Sequence, residues 1–243
     1  MKIAIASVAD DNFQPGFEAL IKSLGRYNDI SDMDVIRLGA MEKYDDAPAM
    51  ADKWRTAMSV FECFNMPEYD RVVYLDSDVI CCGPTPLLFS DELNDYDVAS
   101  APNHSQLRAY EEVPKHIPAK WKELAWAQIR YGRPLHNSGV LVINRSAMDE
   151  NNPQRLVDIL ESGECCKIAD QGAINELMHR MEYKLYTLPE KYNFLRSYLA
   201  RFPEYNEDLR LIHYVGNPKP WVGDKDEIGG LDHVWHEEND YGK

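Results

Sequence analysis

The stretch Arg71-Val72-Val73-Tyr74-Leu75-Asp76-Ser77-Asp78 decides the fold. An apolar, largely β-branched run ends abruptly in two carboxylates spaced i, i+2. As a strand, Val72 to Leu75 is expected inside a parallel sheet, with Asp76 at its carboxyl edge. Ligands of open α/β sheets gather outside the carboxyl ends of strands. Aspartates at such an edge suit a hard divalent cation, which commonly bridges protein carboxylates to a diphosphate. Asp and Ser are also ordinary turn residues, so the triplet alone is equally compatible with a strand-to-turn junction.

Outward from this stretch, strands are expected at Lys2–Ala9, Asp34–Leu38, Val98–Ala101, Gly139–Ile143, Lys184–Leu188 and Leu211–Val215. Helical spacing covers Gly16–Leu24, closed by Gly25, then Met50–Phe64, Pro153–Glu161 and Asp170–Met178. Strands alternating with helices predict an α/β fold with a mostly parallel central sheet flanked by helices. His104–Pro134 is irregular, with a Trp-rich part (Trp121, Trp126) expected to be helical. With no repeat and no Gly/Ser linker, residues 1–221 are expected to form one domain. The polar, acidic stretch 222–243 is expected to be a mobile tail.

A chain of 243 residues can bury a sizeable core. Its net charge of −15 argues against a partner bound through a phosphate backbone, so no nucleic-acid partner is expected. No run approaches the roughly 20 apolar residues of a membrane span. The cysteines (Cys63, Cys81-Cys82, Cys165-Cys166) show neither C-x-x-C zinc spacing nor a secreted disulfide framework, and reduced thiols with a cytoplasmic location are expected.

Three more motifs fall where a nucleotide-diphosphate site would need them. His136-Asn137-Ser138-Gly139 precedes an apolar strand; Asn can serve sugar hydroxyls and Gly permits close approach, although a plain turn has the same composition. Asp170-Gln171 opens a helix, where Asp is also a good N-cap. In His213-Tyr214-Val215-Gly216-Asn217-Pro218-Lys219-Pro220-Trp221, an imidazole can complete a site begun by two carboxylates, and a lysine between prolines is a point-charge partner for phosphate.

In this order, Asp76-Ser77-Asp78, Asn137-Ser138-Gly139, Asp170-Gln171 and H-x-x-G-x-x-K-P-W make the chain resemble glycosyltransferase family 8. That group includes glycogenin and bacterial galactosyltransferases of lipooligosaccharide synthesis. The resemblance runs from Ile3 to Trp221 and implies a single-domain GT-A fold with a Rossmann-like sheet. It implies Mn²⁺, with Mg²⁺ as the alternative, on Asp76, Asp78 and His213; a carboxylate–imidazole set favours Mn²⁺. The donor-contacting residues it implies are Ser7, Ala9, Asp11, Phe13, Ser77, Asn137, Ser138, Gly216 and Lys219. Phe13 is equally readable as an aromatic over uracil or as a core residue before the first helix.

The implied reaction moves a hexosyl group from a UDP-sugar to a hydroxyl of a saccharide or other acceptor, with retention. Gln171 matches the family's near-anomeric residue, and its amide cannot act as the base an inverting path needs. Asp170 would orient sugar or acceptor. Three departures are visible. The basic residue expected before the Asp-x-Asp strand falls near Val60, leaving Lys53 or Arg55 to substitute. Lys167 stands where an acidic residue is usual. A self-modified tyrosine would fall at Arg196 or Ala200, with Tyr198 between, so self-glycosylation is not expected.

Competing readings are weaker. A haloacid-dehalogenase phosphatase carries Asp-x-Asp on its first strand and would leave the His213–Trp221 block without a role. A sugar nucleotidyltransferase would show a Gly-rich loop near the N-terminus, which Ala6–Gly16 lacks. A non-catalytic UDP-sugar-binding protein should have lost metal ligands or the lysine, yet all are present.

Overall fold

The computed structural model describes residues 1–41, 56–103, 129–165, 169–196, 208–222 and 231–240. Its centre is a six-stranded sheet of order β2-β1-β3-β6-β5-β7. The strands are β1 (Ile3–Val8), β2 (Asp34–Leu38), β3 (Arg71–Leu75), β5 (Val98–Pro102), β6 (His136–Asn144) and β7 (Leu185–Thr187). Five strands run one way and β6 alone runs against them, antiparallel to both β3 and β5. A second sheet orders β4 (Val79–Cys81), β9 (Leu211–His213) and β8 (Phe194–Leu195).

β1, β3 and β6 are buried at every residue, which is why they read as nearly continuous apolar runs. Alternation sorts their side chains into two cores. Ala4, Ala6, Val8, Val72, Tyr74, Leu141 and Ile143 face one side. They meet the 3-10 helix Thr56–Phe64, α2 (Asn152–Ser162) and α3 (Ala169–Arg180). Ile3, Ile5, Val73, Leu75, Val140 and Val142 face the other, under Leu20 and Leu24 of α1 (Gln14–Tyr27).

α1 does not stop at Gly25. It continues to Tyr27, where Arg26 and Tyr27 both bond Glu238, and Asn28 closes it by bonding Leu24 O through backbone N and side-chain Nδ2. The described part of the expected helix before β3 is a 3-10 helix; residues 50–55 lie outside the described residues. Most of the irregular segment, including Trp121 and Trp126, lies outside them too.

Where a mobile tail was expected, Asp232–Asp240 form α4, docked against α1. Trp235 is buried among Ala19, Ile80, Ile212 and Tyr214, and Lys22 Nζ donates to Asn239 O. The acidic composition of this segment concealed a helix held by one aromatic anchor and by Arg26–Glu238. Among the described residues, no helix is long and apolar enough to cross a membrane.

Candidate functional site

The reversal of β6 creates the site. The carboxyl end of β3 and the amino end of an antiparallel β6 fall at the same edge of the sheet. Leu75 pairs with Val140, and Asp76 N donates to Gly139 O at 2.9 Å. His136, Asn137 and Ser138 therefore belong to the strand, with Asn137 O accepting Ser100 Oγ–H at 2.7 Å, rather than forming a turn before it.

After β3 the chain turns within Asp76–Asp78 and enters β4, whose Val79 pairs with His213 on β9. Tyr214 N donates to Asp78 O at 2.8 Å. The two-sheet junction thus brings residues 76, 78 and 213 together from distant parts of the chain. His213 Nε2 lies 3.3 Å from Asp76 Oδ2 and 3.1 Å from Asp78 Oδ1, and the three potential ligand atoms fall within 4.8 Å of one another.

This set fits a divalent cation on its donor chemistry and on the room around it. A Cβ at residue 139 would intrude on His213 and Asp76, so glycine keeps the cradle open. Close packing behind the triplet depends on Gly16 of α1 in the same way, because a Cβ there would collide with Ser77 O and the Trp221 ring.

Electrostatics couple the cluster. Burial raises the Asp78 carboxyl, but His213 and Lys219 outweigh it and hold the pKa well below the usual carboxylate range. Burial disfavours the His213 imidazolium, but Asp78 and Asp76 outweigh that and raise the group to about 9. Lys219 Nζ bonds Asp78 Oδ2 and donates to Tyr214 O at 2.9 Å. Asp170, half-buried, is pushed up to about 7 by burial and by the neighbouring Asp76 charge, with Ser138 and the Gln171 backbone opposing.

A cavity of about 490 Å³ opens over these groups. Asp76, Ser77, Asp78, Asn137, Ser138, Asp170, Gln171, His213, Gly216, Lys219 and Phe13 all line it. Phe13 meets Trp221 edge-on at 5.7 Å, with Lys219 Nζ 5.4 Å from its ring centroid. Trp221 is in turn tied by Nε1 to Asn12 O at 3.0 Å.

Ser7, Ala9 and Asp11 do not line the cavity. Ser7 and Ala9 are buried, and Asp11 faces outward toward Arg37. Their neighbours Val8 and Asp10 line it instead. Asp10 Oδ1 accepts from Asn12 N and Phe13 N, fixing the loop. Lys53, Arg55, Lys167, Tyr198 and Ala200 lie outside the described residues. Arg196 is buried, bonding Asp232 Oδ1 at 3.1 Å and Pro218 O at 2.5 Å, and so braces the loop that carries Lys219.

Beyond Val8 and Asp10, sequence reasoning also missed Tyr74 and Asn193. Tyr74 lines the cavity and donates from OH to Asp76 Oδ1 at 2.5 Å; the period of two from Asp76 could have shown it. Asn193 sits behind His213, its Oδ1 2.9 Å from Nδ1, and no short motif announced it.

A mostly parallel sheet thus brings Asp-x-Asp and Asn-Ser-Gly to one edge, beside a histidine from the second sheet. The Glycosyl transferase family 8 model matches residues 53–225, well over half of the sequence, and the chain belongs to that family.

It is 28% identical over 171 residues to a lipopolysaccharide 1,2-glucosyltransferase of Escherichia coli, covering 63% of this chain and 44% of that protein. To glycosyltransferase GlyE of Streptococcus pneumoniae it is 27% identical over 192 residues, covering 73% and 40%. The chain thus spans less than half the length of these relatives. Among solved structures, the apo WbbM bifunctional glycosyltransferase aligns at TM-score 0.73 and 17% identity, over 99% of this chain and 50% of that one. The galactosyltransferase LgtC, in complex with donor and acceptor sugar analogs, aligns at TM-score 0.66 and 19% identity, over 98% and 95%. At these identities the structural likeness speaks for the fold.

Proposed function

We propose that this chain transfers a hexosyl group from a UDP-sugar to a hydroxyl of a saccharide acceptor, with retention at the anomeric carbon. Family membership supports the reading. The observation that carries it is one cavity lined by a carboxylate–imidazole cluster, a lysine and an amide with an unsatisfied donor.

Asp76, Asp78 and His213 would hold Mn²⁺, or Mg²⁺ in its place. The cation would supply positive charge opposite that developing on the departing diphosphate. Lys219, now paired with Asp78, adds a second positive charge for phosphate, and Gly216, with φ 89°, turns the chain beside it. Ser77, Asn137 and Ser138 offer polar groups to the donor, and Phe13 offers an aromatic face to its base. Gln171 Oε1 accepts from Asn137 Nδ2 at 3.0 Å, while its buried Nε2 has no partner among the described residues. An amide there can donate to sugar or departing oxygen but cannot remove a proton, which suits retention better than inversion. Asp170 orients the sugar or acceptor. A cytoplasmic location belongs to the same reading.

The test is a panel of nucleotide sugars scored for Mn²⁺-dependent thermal shift and slow donor hydrolysis. One UDP-sugar should both stabilise and be hydrolysed, and both effects should vanish with chelator. Binding of UDP with no sugar turned over, even when saccharide acceptors are supplied, would favour a binding protein. No nucleotide response at all would remove the reading.

A further inference from the structure

We propose that Asn193 is a positioning residue that, through one directed amide relay, fixes both the nitrogen His213 offers a cation and the donor Gln171 offers a substrate. The proposal deepens the transferase reading and rests on it. The relay is buried throughout: Asn193 is 1% exposed, His213 3%, Gln171 4% and Asn137 8%.

An amide's two ends are told apart only by their partners, and here one backbone group settles all of them. Gly139 N lies 2.8 Å from the Asn137 side chain, and a backbone N–H can only donate, so the facing atom is Oδ1. Asn137 therefore turns Nδ2 toward Gln171, 3.0 Å away, and Gln171 must present Oε1 to it. That leaves Gln171 Nε2, which no atom of the described residues satisfies, as the free donor of a cavity-lining side chain.

The same Asn137 Oδ1 also faces Asn193 at 2.7 Å, so Asn193 must donate there through Nδ2. Its Oδ1 then lies 2.9 Å from His213 Nδ1, which must carry hydrogen. The lone pair available to a cation is thereby placed on Nε2, the nitrogen beside Asp76 and Asp78. Asn193 is the member that joins the two halves: it accepts toward the histidine and donates toward the Asn137–Gln171 pair.

Two substitutions separate those roles. Asn193→Asp keeps an acceptor for His213 Nδ1–H but has nothing to donate to Asn137 Oδ1. Its Mn²⁺ affinity, read from the free-Mn²⁺ electron paramagnetic resonance signal with UDP present, should stay within about 3-fold of wild type. Its UDP-sugar hydrolysis should fall about 10-fold or more. Asn193→Ala removes both functions, and Mn²⁺ affinity should fall about 10–100-fold as well.

Asn137→Asp, which accepts from Gly139 and Asn193 but cannot donate to Gln171, should reproduce the Asn193→Asp signature. It decides the question if the latter fails to fold by thermal melt. Equal loss of affinity and hydrolysis in Asn193→Asp, or wild-type hydrolysis in it, would overturn the relay. If wild type turns over no donor even with saccharide acceptors supplied, the transferase reading fails separately. The Mn²⁺ affinities of the two Asn193 variants then still decide the relay: weakening in the alanine variant alone supports it, and equal affinities overturn it.

Discussion

Gly139 and His213 meet across a gap that only glycine leaves: a Cβ at residue 139 would overlap His213 Cε1, stand 2.5 Å from Nδ1 and reach within 2.8 Å of Asp76 Oδ2. The strand carrying the Asn-Ser-Gly motif is thus pressed directly against the Asp76–Asp78–His213 cluster. Gly139→Ala should displace the imidazole and cost about 1–3 kcal/mol of stability through overpacking. The expected result is a melting temperature lowered by several degrees, with Mn²⁺ binding by calorimetry lost. Wild-type Mn²⁺ affinity in this variant would contradict the geometry.

Asp78 touches His213, Lys219 and, through its backbone, Tyr214. Asp78→Ala should abolish Mn²⁺-dependent UDP binding. The fold should survive, because the backbone bonds that close the junction remain. Circular dichroism and UDP titration with and without chelator check this; unaltered UDP affinity would make the metal assignment wrong.

The raised His213 pKa carries a sign. In the metal-free protein it stands near 9 against 6.5 for an unperturbed imidazole. Its stabilising contribution is therefore complete below about pH 6.5 and is lost as pH rises through 9. A cation on Nε2 takes the proton's place, so binding at pH 7 should release about one proton and weaken as pH falls. Calorimetry in buffers of different ionisation enthalpy measures the release; none would mean His213 does not ligate.

Asp170 carries the opposite kind of burden. A carboxyl raised from 3.8 to about 7 stabilises the fold when protonated and loses that contribution as pH rises through 7. Asp170→Asn should raise the melting temperature of the metal-free protein at pH 8 by about 2–4 °C, the shift of roughly 1 kcal/mol in a chain of this size. Near pH 4 it should change little, and turnover should fall. Melts at the two pH values decide whether this residue trades stability for function.

Gln171→Ala should leave donor affinity nearly unchanged, since among the described residues the side chain bonds only Asn137. Turnover should drop about 10-fold or more, as for loss of a donor aimed at developing charge. Steady-state hydrolysis against UDP affinity separates the two, and equal turnover would remove Gln171 from the mechanism.

Much of this architecture was written locally. Val72–Leu75 and Val140–Ile143 are apolar on both faces because each strand feeds two cores, and runs of that kind are legible from composition alone. The ordered set Asp76-Ser77-Asp78, Asn137-Ser138-Gly139, Asp170-Gln171 and His213–Trp221 pointed to side chains from distant parts of the chain that the fold gathers around one cavity. The loop after β1 was legible only in part. Side-chain alternation through Val8 and Asp10, rather than Ser7, Ala9 and Asp11, decides which residues face the cavity.

By itself, then, the sequence determined seven of the nine described strands, missing the short β4 and β8, together with their order along the chain and the chemical kinds of group available, because propensity and periodicity are properties of neighbouring residues. Tertiary structure alone decided that β6 runs backward, which swings Asn137 and Gly139 to the edge where Asp76 emerges. It alone decided that α4 docks through Trp235, and that Asn193, 56 residues from Asn137 and 20 from His213, joins the two. Strand direction and hydrogen-bond partners depend on contacts between distant residues, and no local pattern of side chains encodes those.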